Sequence, residues 1–396
     1  MTSPNDTANP STKSALARLG HALAVTLYVL VVCAPALGLM KRLPDAVVVG
    51  AVLPQERPKL SVSPWMQEKF QPAFVTWFEL NLWLRGTFVY ADNSVLYHAF
   101  HETKPGATVK LAKDNILIND EDTGHLSRLD VPSRKTLDGM VARIAKLQLR
   151  LQRDGAALVP VIIPSKGSIY PDMVEDRWKL NVATPRPSDV LYTDLVRALR
   201  EQNVTFVDAR ALLTARPEPR PHLFPRGARH WSFLGSCLVT QQAFKAYTDL
   251  TGKSAPPYDC AYTLGAAPPA DHQDYDLYRL MNVWGAPADK GPAPVFQYSQ
   301  VPQNQLDLLI VGTSFGWNFL RDSDRTHAFR TEHYFYYDKI IVEWPSAKMT
   351  PLVVNSPEWR NAVTHKQLYI LDLFETYPIP EHATMFLDDM DAHYQP

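Results

Sequence analysis

Ser314 lies in a segment whose residue types suit acyl transfer. The apolar run Leu306 to Val311 leads into Gly312-Thr313-Ser314-Phe315-Gly316, and Trp317 to Leu320 then form an amphipathic stretch. This order predicts a buried strand, a tight turn and a helix, with the serine hydroxyl at the edge of a sheet. Backbone N–H groups at the start of that helix would face an oxyanion, as acyl transfer requires. An ordinary strand-to-helix turn with a serine cap has the same pattern.

His230 is the candidate base for this serine. A serine hydroxyl is a poor nucleophile at neutral pH and needs a base to take its proton. His230 lies in the loop Phe224 to Ser232, which contains Gly227 and directly precedes a predicted helix. A loop histidine at the start of a helix is well placed for a cleft. We therefore predict that His230 and Ser314 meet at one edge of the sheet.

The elements that must position these residues alternate between helices and short apolar strands. Periodic apolar residues predict the helices, and continuous apolar runs predict buried strands. The alternation indicates an α/β domain of about 250 residues, with a parallel sheet covered on both faces. Ligands gather at the carboxyl ends of such strands, which selects Pro164 to Tyr170, Asp208 and Gly312 to Trp317. The predicted helices are 73–84, 134–152, 188–202 and 232–250, and the predicted strands are 158–163, 204–207, 306–311, 339–342 and 368–371.

Four short motifs together carry a resemblance to a known family. They are Gln55-Glu56-Arg57 through Trp77-Phe78 to Leu84-Arg85, then Ile163 to Pro171, then His230-Trp231-Ser232, and Gly312-Thr313-Ser314-Phe315 about 80 residues later. In this order they resemble the alginate O-acetyltransferase family of the AlgJ and AlgX type, over about residues 55 to 375. The resemblance implies an SGNH-hydrolase-like fold in permuted order, with Ser314 as the acyl-accepting nucleophile and His230 as the base. We expect no cofactor and no metal ion.

The acid of the proposed triad has no obvious place in the sequence. In the family the acid stands two residues before the histidine, in D-x-H, whereas this chain has Ala228 there. The acid orients the imidazole and stabilises its charged form. Asp208, Glu343 and Glu375, at or near predicted strand ends, are the candidates to replace it. A dyad in which a backbone carbonyl orients the ring is the other alternative.

Four further residues are predicted to bind substrate. Lys166 and Tyr170 follow the carboxyl end of a predicted strand, and Trp231 and Trp317 adjoin the two catalytic candidates. Exposed aromatic rings suit stacking on sugars, because the apolar faces of the sugar pack on the ring while its hydroxyls stay in water. Local packing or capping would explain the same four residues.

Composition bounds the class of protein and its partners. A chain of 396 residues with 46% hydrophobic residues can bury a substantial core. The 40 basic residues nearly cancel the 41 acidic ones, so no overall field draws the chain toward nucleic acid. Of the three cysteines, Cys33 lies in the N-terminal apolar run. Cys237 and Cys260 form either a disulfide or two buried thiols.

The segment His21 to Met40 is predicted to be a single membrane anchor. It carries no formal charge unless His21 is protonated, and about 20 apolar residues match the length that a helix needs to cross a bilayer. A cleaved signal peptide, with an A-x-A site at Ala34-Pro35-Ala36, is the alternative. The predicted organisation is a cytoplasmic N-terminus at 1–20, the anchor or signal segment at 21–40, a stalk at 41–72 and an SGNH-like acyltransferase domain at 73–396.

The favoured hypothesis is transfer of an acetyl group, through acetyl-Ser314, to hydroxyls of an exported polysaccharide. The catalytic domain would lie in the periplasm, held at the inner membrane. The resemblance also implies a polytopic membrane acyltransferase as the donor side. One alternative is an α/β-hydrolase-type esterase, since Gly312 to Gly316 satisfies G-x-S-x-G and Asp372 and His382 follow in Ser, Asp, His order. The other is a non-catalytic polysaccharide-binding or assembly subunit that has lost the acid.

Overall fold

The structure is a computed structural model that describes residues 10–34, 44–50, 55–124, 131–175, 178, 190–269, 271–285, 291–296, 302–377 and 379–394. The chain divides into two compact units. The first comprises Met1–His101 with Leu280–Trp284, and the second comprises Glu102–Arg279 with Gly285–Pro396. Residues 73–101, which the sequence analysis assigned to the acyltransferase domain, therefore group with the first unit.

The first unit contains four helices among its described residues: α1 (Pro10–Cys33), α2 (Val62–Met66), α3 (Phe70–Asn81) and α4 (Arg85–Phe100). The single helix predicted at 73–84 is thus wrong in its bounds, because α3 ends at Asn81 and α4 begins at Arg85. Asp45 accounts for the second start. Its carboxylate accepts hydrogen bonds from the N–H groups of Gly86 (2.7 Å) and Thr87 (2.9 Å), which satisfies donors that a helix start leaves unpaired.

The predicted membrane anchor at 21–40 falls partly on α1. Residues 35–40 of that segment lie outside the described residues. In the described part of the chain, no helix has the length and apolar character needed to cross a membrane. The prediction of a transmembrane helix is therefore not confirmed.

The second unit is built on a seven-stranded sheet with the strand order β10-β9-β8-β7-β11-β3-β4. Two small antiparallel pairs, β1 with β2 and β5 with β6, lie outside it. The strands are β1 (Val109–Leu111), β2 (Leu117–Asn119), β3 (Ala157–Ile163), β4 (Val207–Asp208), β5 (Tyr262–Leu264), β6 (Pro294–Phe296), β7 (Leu306–Gly312), β8 (Phe329–Tyr336), β9 (Ile340–Trp344), β10 (Lys348–Pro351) and β11 (Leu368–Phe374). The helices are α5 (Asp120–Gly124), α6 (Arg134–Arg153), α7 (Lys166–Ile169), α8 (Val190–Glu201), α9 (Ala209–Thr214), α10 (Arg220–Leu223), α11 (Phe233–Thr251), α12 (Asp276–Leu280), α13 (Gly316–Thr326), α14 (Pro357–Val363) and α15 (Glu381–His393).

The core lies on both faces of this sheet, as the continuous apolar runs predicted. The central strands β3, β7 and β11 are buried along their whole length. Because successive side chains of a strand point to opposite faces, β3 contributes Val159 and Val161 to one apolar cluster and Leu158 and Ile162 to the other. The first cluster includes side chains of α11 and α13, and the second includes side chains of α6, α8, α14 and α15.

The sheet is mostly parallel, and this refines the prediction of a parallel sheet. Strands β4, β3, β11, β7 and β8 pair in parallel, whereas β9 and β10 are antiparallel. The turn between β8 and β9 contains Tyr337 and Asp338 with φ of 50° and 53°. Positive φ at two successive residues is typical of a hairpin turn. Neither is a glycine, so the turn escaped the sequence analysis, and β8 was not predicted.

The strand predicted at 204–207 is shorter than expected. Only Val207–Asp208 pairs in the sheet as β4. The side chain of Gln148 accounts for the difference, because its amide nitrogen donates to the Thr205 carbonyl (2.8 Å) and its amide oxygen accepts from the Thr205 N–H (3.0 Å). A side chain thus takes the place of a neighbouring strand.

The helix that follows the histidine loop begins and ends as predicted. Ser232 caps α11 by accepting a hydrogen bond from the Gly235 N–H (3.1 Å), and Gly252 closes the helix with φ of 69°. A disulfide joins Cys237 to Cys260, with Cα atoms 5.8 Å apart. Of the two alternatives for these cysteines, the structure has the disulfide.

We expect the buried carboxyl group of Glu332 to make the free energy of unfolding depend on pH. It is buried on β8, and Ser323 Oγ lies 2.8 and 2.7 Å from its two carboxyl oxygens. Burial raises the pKa of the Glu332 carboxyl to about 8, against the hydrogen bond from Ser323, and the charge of Asp324 adds to the rise. Between its ordinary pKa of 4.5 and about 8, the folded state holds a proton that the unfolded state has lost. The free energy of unfolding therefore falls as pH rises through this window.

We expect Glu332→Gln to remove this loss of stability. At pH 8 the variant should exceed the wild type in free energy of unfolding by about 1–3 kcal/mol, and near pH 4 the two should be equal, because both side chains are then neutral. Urea unfolding at the two pH values measures the difference. Glu343→Gln, at a half-exposed residue of β9, serves as the control and should change neither value. Equal stabilities of Glu332→Gln and the wild type at pH 8 would contradict the prediction.

Candidate active site

Ser314 lies in the turn between β7 and α13 and is partly exposed. Two neighbouring strands hold the residue before it. Thr313 donates its N–H (2.7 Å) and its hydroxyl (2.5 Å) to Asp372 of β11, and Tyr334 of β8 donates its hydroxyl to the Thr313 carbonyl. The strand-turn-helix prediction is confirmed, and the turn is held by side chains from both flanking strands.

His230 and Ser314 meet, although 84 residues separate them in the sequence. Nε2 of His230 lies 2.7 Å from Oγ of Ser314, and Nδ1 lies 2.6 Å from Oδ2 of Asp276. The other oxygen of Asp276 accepts the N–H of Arg229 (2.8 Å). All three side chains belong to the second unit. Distances of about 2.6–3.2 Å are those that general-base activation of a hydroxyl requires.

The charge of Asp276 determines the direction of these hydrogen bonds. Burial opposes ionisation, but the charge of His230, the hydrogen bond with its ring and the N–H of Arg229 together hold the pKa of Asp276 below its usual value. Asp276 is therefore a carboxylate at neutral pH, and because a carboxylate can only accept, the hydrogen bond between the two side chains carries its proton on Nδ1 of His230. Nε2 is then the free acceptor for the Ser314 hydroxyl. This is the arrangement in which a histidine acts as a base.

Asp276 was not among the acids that the sequence analysis proposed, and those proposals are wrong. Asp208 caps α9 by accepting from the Ala211 N–H, and Glu343 pairs with Lys348. Glu375 accepts from the Ser165 N–H and pairs with Arg210. The alternative of a carbonyl that orients the ring is also excluded. No local pattern marks Asp276, because its role depends on a contact between segments 46 residues apart.

The α/β-hydrolase alternative is not supported by the structure. His382 is buried on α15, and its Nε2 lies 2.9 Å from the backbone carbonyl of Asp372. The carboxylate of Asp372 accepts the two hydrogen bonds from Thr313. The chain order Ser, Asp, His is therefore coincidental, and His230 is the histidine at Ser314.

Three of the four predicted substrate residues are buried. Lys166 is fully buried, and its Nζ donates to backbone carbonyls of the histidine loop. The Tyr170 hydroxyl donates to the Phe224 carbonyl (2.6 Å). Trp231 is 1% exposed and packs edge-on against Phe315. These three predictions require correction, because burial prevents direct contact with a ligand.

Trp317 is the predicted substrate residue that remains partly exposed. It lies on the first turn of α13, three residues after Ser314. Its ring packs edge-on against Tyr334, Tyr336 and Trp344, with centroids 5.4, 5.7 and 6.4 Å away. Tyr334 is fully buried, whereas Tyr336 and Trp344 are partly exposed beside Trp317.

Phe315 contacts the histidine ring, and ion pairs form at the neighbouring residue, Arg229. The ring of Phe315 meets the imidazole of His230 edge-on, with centroids 4.8 Å apart. Arg229 pairs with Glu121 (2.6 Å) and Asp122 (3.4 Å) of α5. Burial raises the pKa of Asp122 to about 6, although the positive charge of Arg229 opposes the rise.

The end of β7 has no room for a side chain at Gly312. A Cβ atom added there would lie 2.4 Å from Cβ of Asp372, too close for the strands to keep their spacing. We expect Gly312→Ala to lower the free energy of unfolding by about 2–3 kcal/mol. Gly139→Ala is the matched control, since nothing lies within 4 Å of the added atom on the exposed side of α6. It should raise stability by about 0.5–1 kcal/mol. Denaturant unfolding of both variants measures the effects, and equal effects would contradict the prediction.

Comparisons with known proteins agree with this geometry. A family model described as "SGNH hydrolase-like domain, acetyltransferase AlgX" matches residues 122–319, half of the chain, and this range includes His230, Asp276 and Ser314. The probable alginate O-acetylase AlgJ of Pseudomonas aeruginosa is 30% identical over 149 residues, which are 37% of this chain and 34% of the relative. The corresponding protein of Pseudomonas fluorescens is 24% identical over 164 residues, 41% of this chain and 38% of the relative. The match thus spans about a third of the length of these curated relatives.

The chain is also similar to two solved structures of this kind. The O-acetyltransferase domain of Pseudomonas putida AlgJ is 21% identical and aligns with 69% of this chain and 92% of its own, with a TM-score of 0.41. Pseudomonas aeruginosa AlgX is 14% identical and aligns with 71% of this chain and 66% of its own, with a TM-score of 0.43.

The second unit has an SGNH hydrolase-like α/β fold, with a mostly parallel central sheet and flanking helices. The family match covers the residues that form the site. The chain belongs to the family of SGNH hydrolase-like acetyltransferase domains of the AlgX type.

Proposed function

We propose that the second unit transfers an acetyl group to hydroxyls of a polysaccharide through an acyl-Ser314 intermediate. The observation that carries the proposal is the continuous hydrogen-bonded series from Ser314 through His230 to Asp276, at 2.7 and 2.6 Å. Family membership supports acetyl transfer as the reaction type.

The first half of the reaction would acetylate the enzyme. His230 Nε2 takes the hydroxyl proton as Ser314 Oγ forms a bond to the carbonyl carbon of the acetyl donor. Asp276 stabilises the imidazolium that results. The N–H of Phe315, the residue after the nucleophile, would donate a hydrogen bond to the oxyanion. The bond from the carbonyl carbon to the leaving group then breaks, and the imidazolium returns the proton to that group.

The second half would repeat these steps with the acceptor. His230 takes the proton of a sugar hydroxyl, whose oxygen attacks the acetyl carbonyl. The bond to Ser314 breaks, and Oγ recovers the proton. Water in place of the sugar would give hydrolysis, so exclusion of water decides between a transferase and an esterase.

The acceptor class is inferred from the relatives and from one side chain. The curated relatives carry the name alginate O-acetylase, and we propose alginate as the acceptor. The partly exposed ring of Trp317, three residues from the nucleophile, would stack on a sugar ring. We also propose a polytopic membrane acyltransferase as the donor side.

The compartment is inferred from the disulfide. A bond between Cys237 and Cys260 is typical of an oxidising compartment, and we propose that the second unit works in the periplasm, at the inner membrane. Trapping thiols during isolation tests this location. Alkylation of both cysteines without prior reduction would contradict it.

Incubation with an activated acetyl ester and deacetylated alginate oligomers tests the function. Mass spectrometry of the oligomers should show a gain of acetyl groups that requires both the protein and the ester. Neutral glucan oligomers of the same length serve as the control acceptor and should gain none. Release of acetate without acetylation of any oligomer would indicate an esterase. Binding of the oligomer with no turnover of the ester would indicate a non-catalytic subunit.

A further inference from the structure

Lys166 is a buried cation against which the histidine loop, Phe224 to His230, is folded. The side chain is fully buried, and its Nζ lies 2.6 Å from the carbonyl oxygens of Pro225, Arg226 and Ala228. An ammonium group has three N–H donors and no acceptor, so the three carbonyls match its donors in number. All three acceptors lie within the five residues that precede His230.

Two further carbonyls of the loop also accept hydrogen bonds. The Phe224 carbonyl accepts the hydroxyl of Tyr170. The Gly227 carbonyl accepts the N–H groups of Leu277 (3.0 Å) and Tyr278 (3.1 Å), the two residues that follow Asp276. The backbone of the loop that carries the base is therefore hydrogen-bonded directly to the backbone that follows the acid.

These hydrogen bonds matter because the acid and the base lie in different segments of the chain. In a D-x-H sequence the acid and the base share one loop, so their spacing is local. Here Ala228 stands in the place of that acid, and the carboxylate comes from α12. Whether Nδ1 reaches Oδ2 then depends on the path of the whole loop. A path held by carbonyl contacts to one ammonium group has little freedom.

Nearby carboxylates reduce the cost of burying the ammonium group. A buried charge costs several kcal/mol unless opposite charges and hydrogen bonds compensate it. Burial raises the pKa of Asp122 and opposes the ionisation of Asp276, and the positive charge of Lys166 acts against burial at both carboxyl groups. A neutral side chain could not supply this interaction.

We propose that Lys166 is a positioning residue: by holding the carbonyls of the histidine loop, it sets the His230 ring between Ser314 and Asp276. The kinetic consequence rests on the proposed function. The structural consequence, the orientation and tautomer of the ring, does not.

Lys166→Met tests the proposal, because methionine fills a similar volume without charge or donors. The first readout is the tautomer of His230, measured by nitrogen NMR of histidine-labelled protein and assigned by comparison with His230→Ala. The wild type should carry its proton on Nδ1, and Lys166→Met should show a mixture of both tautomers. Lys166→Gln, which keeps two N–H donors and loses the charge, gives the same comparison if the methionine variant does not fold.

Gln148→Leu is the matched control. Gln148 is buried and donates to two backbone carbonyls, those of Leu158 and Thr205, at 2.8 Å each, on the face of the sheet covered by α6. Its loss should lower stability but leave the His230 tautomer unchanged. A general effect of lost stability is thereby separated from positioning.

The second readout is turnover of a chromogenic acetyl ester. We expect kcat of the folded Lys166→Met to fall about 100-fold, with KM within about threefold, because substrate binding is not the function of a buried residue. A wild-type His230 tautomer in the Lys166 variants would overturn the proposal. If the wild type itself does not turn over the ester, the proposed function fails, whereas the tautomer still decides the role of Lys166.

Discussion

Ser314→Ala is expected to lower kcat/KM for an acetyl ester by at least about 10⁴-fold, because no other group would replace the nucleophile. His230→Ala should cost about as much, since the two residues act as one unit and their losses do not add. Because Nε2 of His230 already lies 2.7 Å from Oγ of Ser314, the pair needs no rearrangement before reaction. The loss should therefore fall mainly on kcat.

Intact-mass measurement after brief mixing with the ester provides the direct check. The wild type should gain one acetyl group, mapped to Ser314, when acylation is faster than deacylation, and the alanine variant should gain none there. Ser346→Ala is the control, because Ser346 lies in the exposed turn after β9, where its hydroxyl donates to the Glu343 carbonyl and accepts from the Lys348 N–H. It should retain full activity. Ester turnover by Ser314→Ala within tenfold of the wild type would exclude the acyl-serine mechanism.

Asp276→Asn is expected to reduce kcat by about 10³–10⁴-fold with little change in fold. The amide can no longer oppose the positive charge of the imidazolium, and its NH₂ group can turn toward Nδ1 and favour the wrong tautomer. Because the pKa of Asp276 lies below its usual value, protonation of this carboxyl should not limit the rate at neutral or mildly acidic pH. Steady-state kinetics across that pH range measures both effects.

The controls for this second experiment are the acids that sequence analysis proposed. Asp208→Asn and Glu343→Gln change carboxylates that cap a helix and pair with Lys348, and both variants should keep kcat within about threefold of the wild type. A kcat for Asp276→Asn that is no lower than theirs would show that the contact at 2.6 Å has no catalytic role. The base would then act without an acid.

The contrast between Ser314 and Asp276 shows which parts of this site a sequence can predict. Ser314 is preceded by an apolar strand and flanked by glycines, so the residues adjacent to it in the sequence predict its local structure. His230 precedes a capped helix and could be recognised in the same way. Asp276 begins a five-residue helix with no distinctive neighbours. In the folded chain its carboxylate reaches the histidine, and the Gly227 carbonyl accepts the N–H groups of the two residues that follow Asp276.

Burial could not be predicted for the residues of the Pro164 to Tyr170 segment. A lysine and a tyrosine after a strand end are ordinarily expected to face solvent. For the lysine the reason is that burial of a charge is costly. Here the histidine loop covers Lys166 and supplies the carbonyls that compensate it. Trp231 turns into the core against Phe315, while Trp317, equally aromatic in sequence, stays partly exposed.

Local patterns in this chain were sufficient to predict the central strands, the main helices and the two residues, His230 and Ser314, that meet at the edge of the sheet, since apolar periodicity, caps and glycines act over a few positions. The acid, the antiparallel edge of the sheet and the burial of Lys166 emerged only from the folded chain. Each of these depends on hydrogen bonds or charges from segments far apart in the sequence, and such contacts leave no pattern in neighbouring residues.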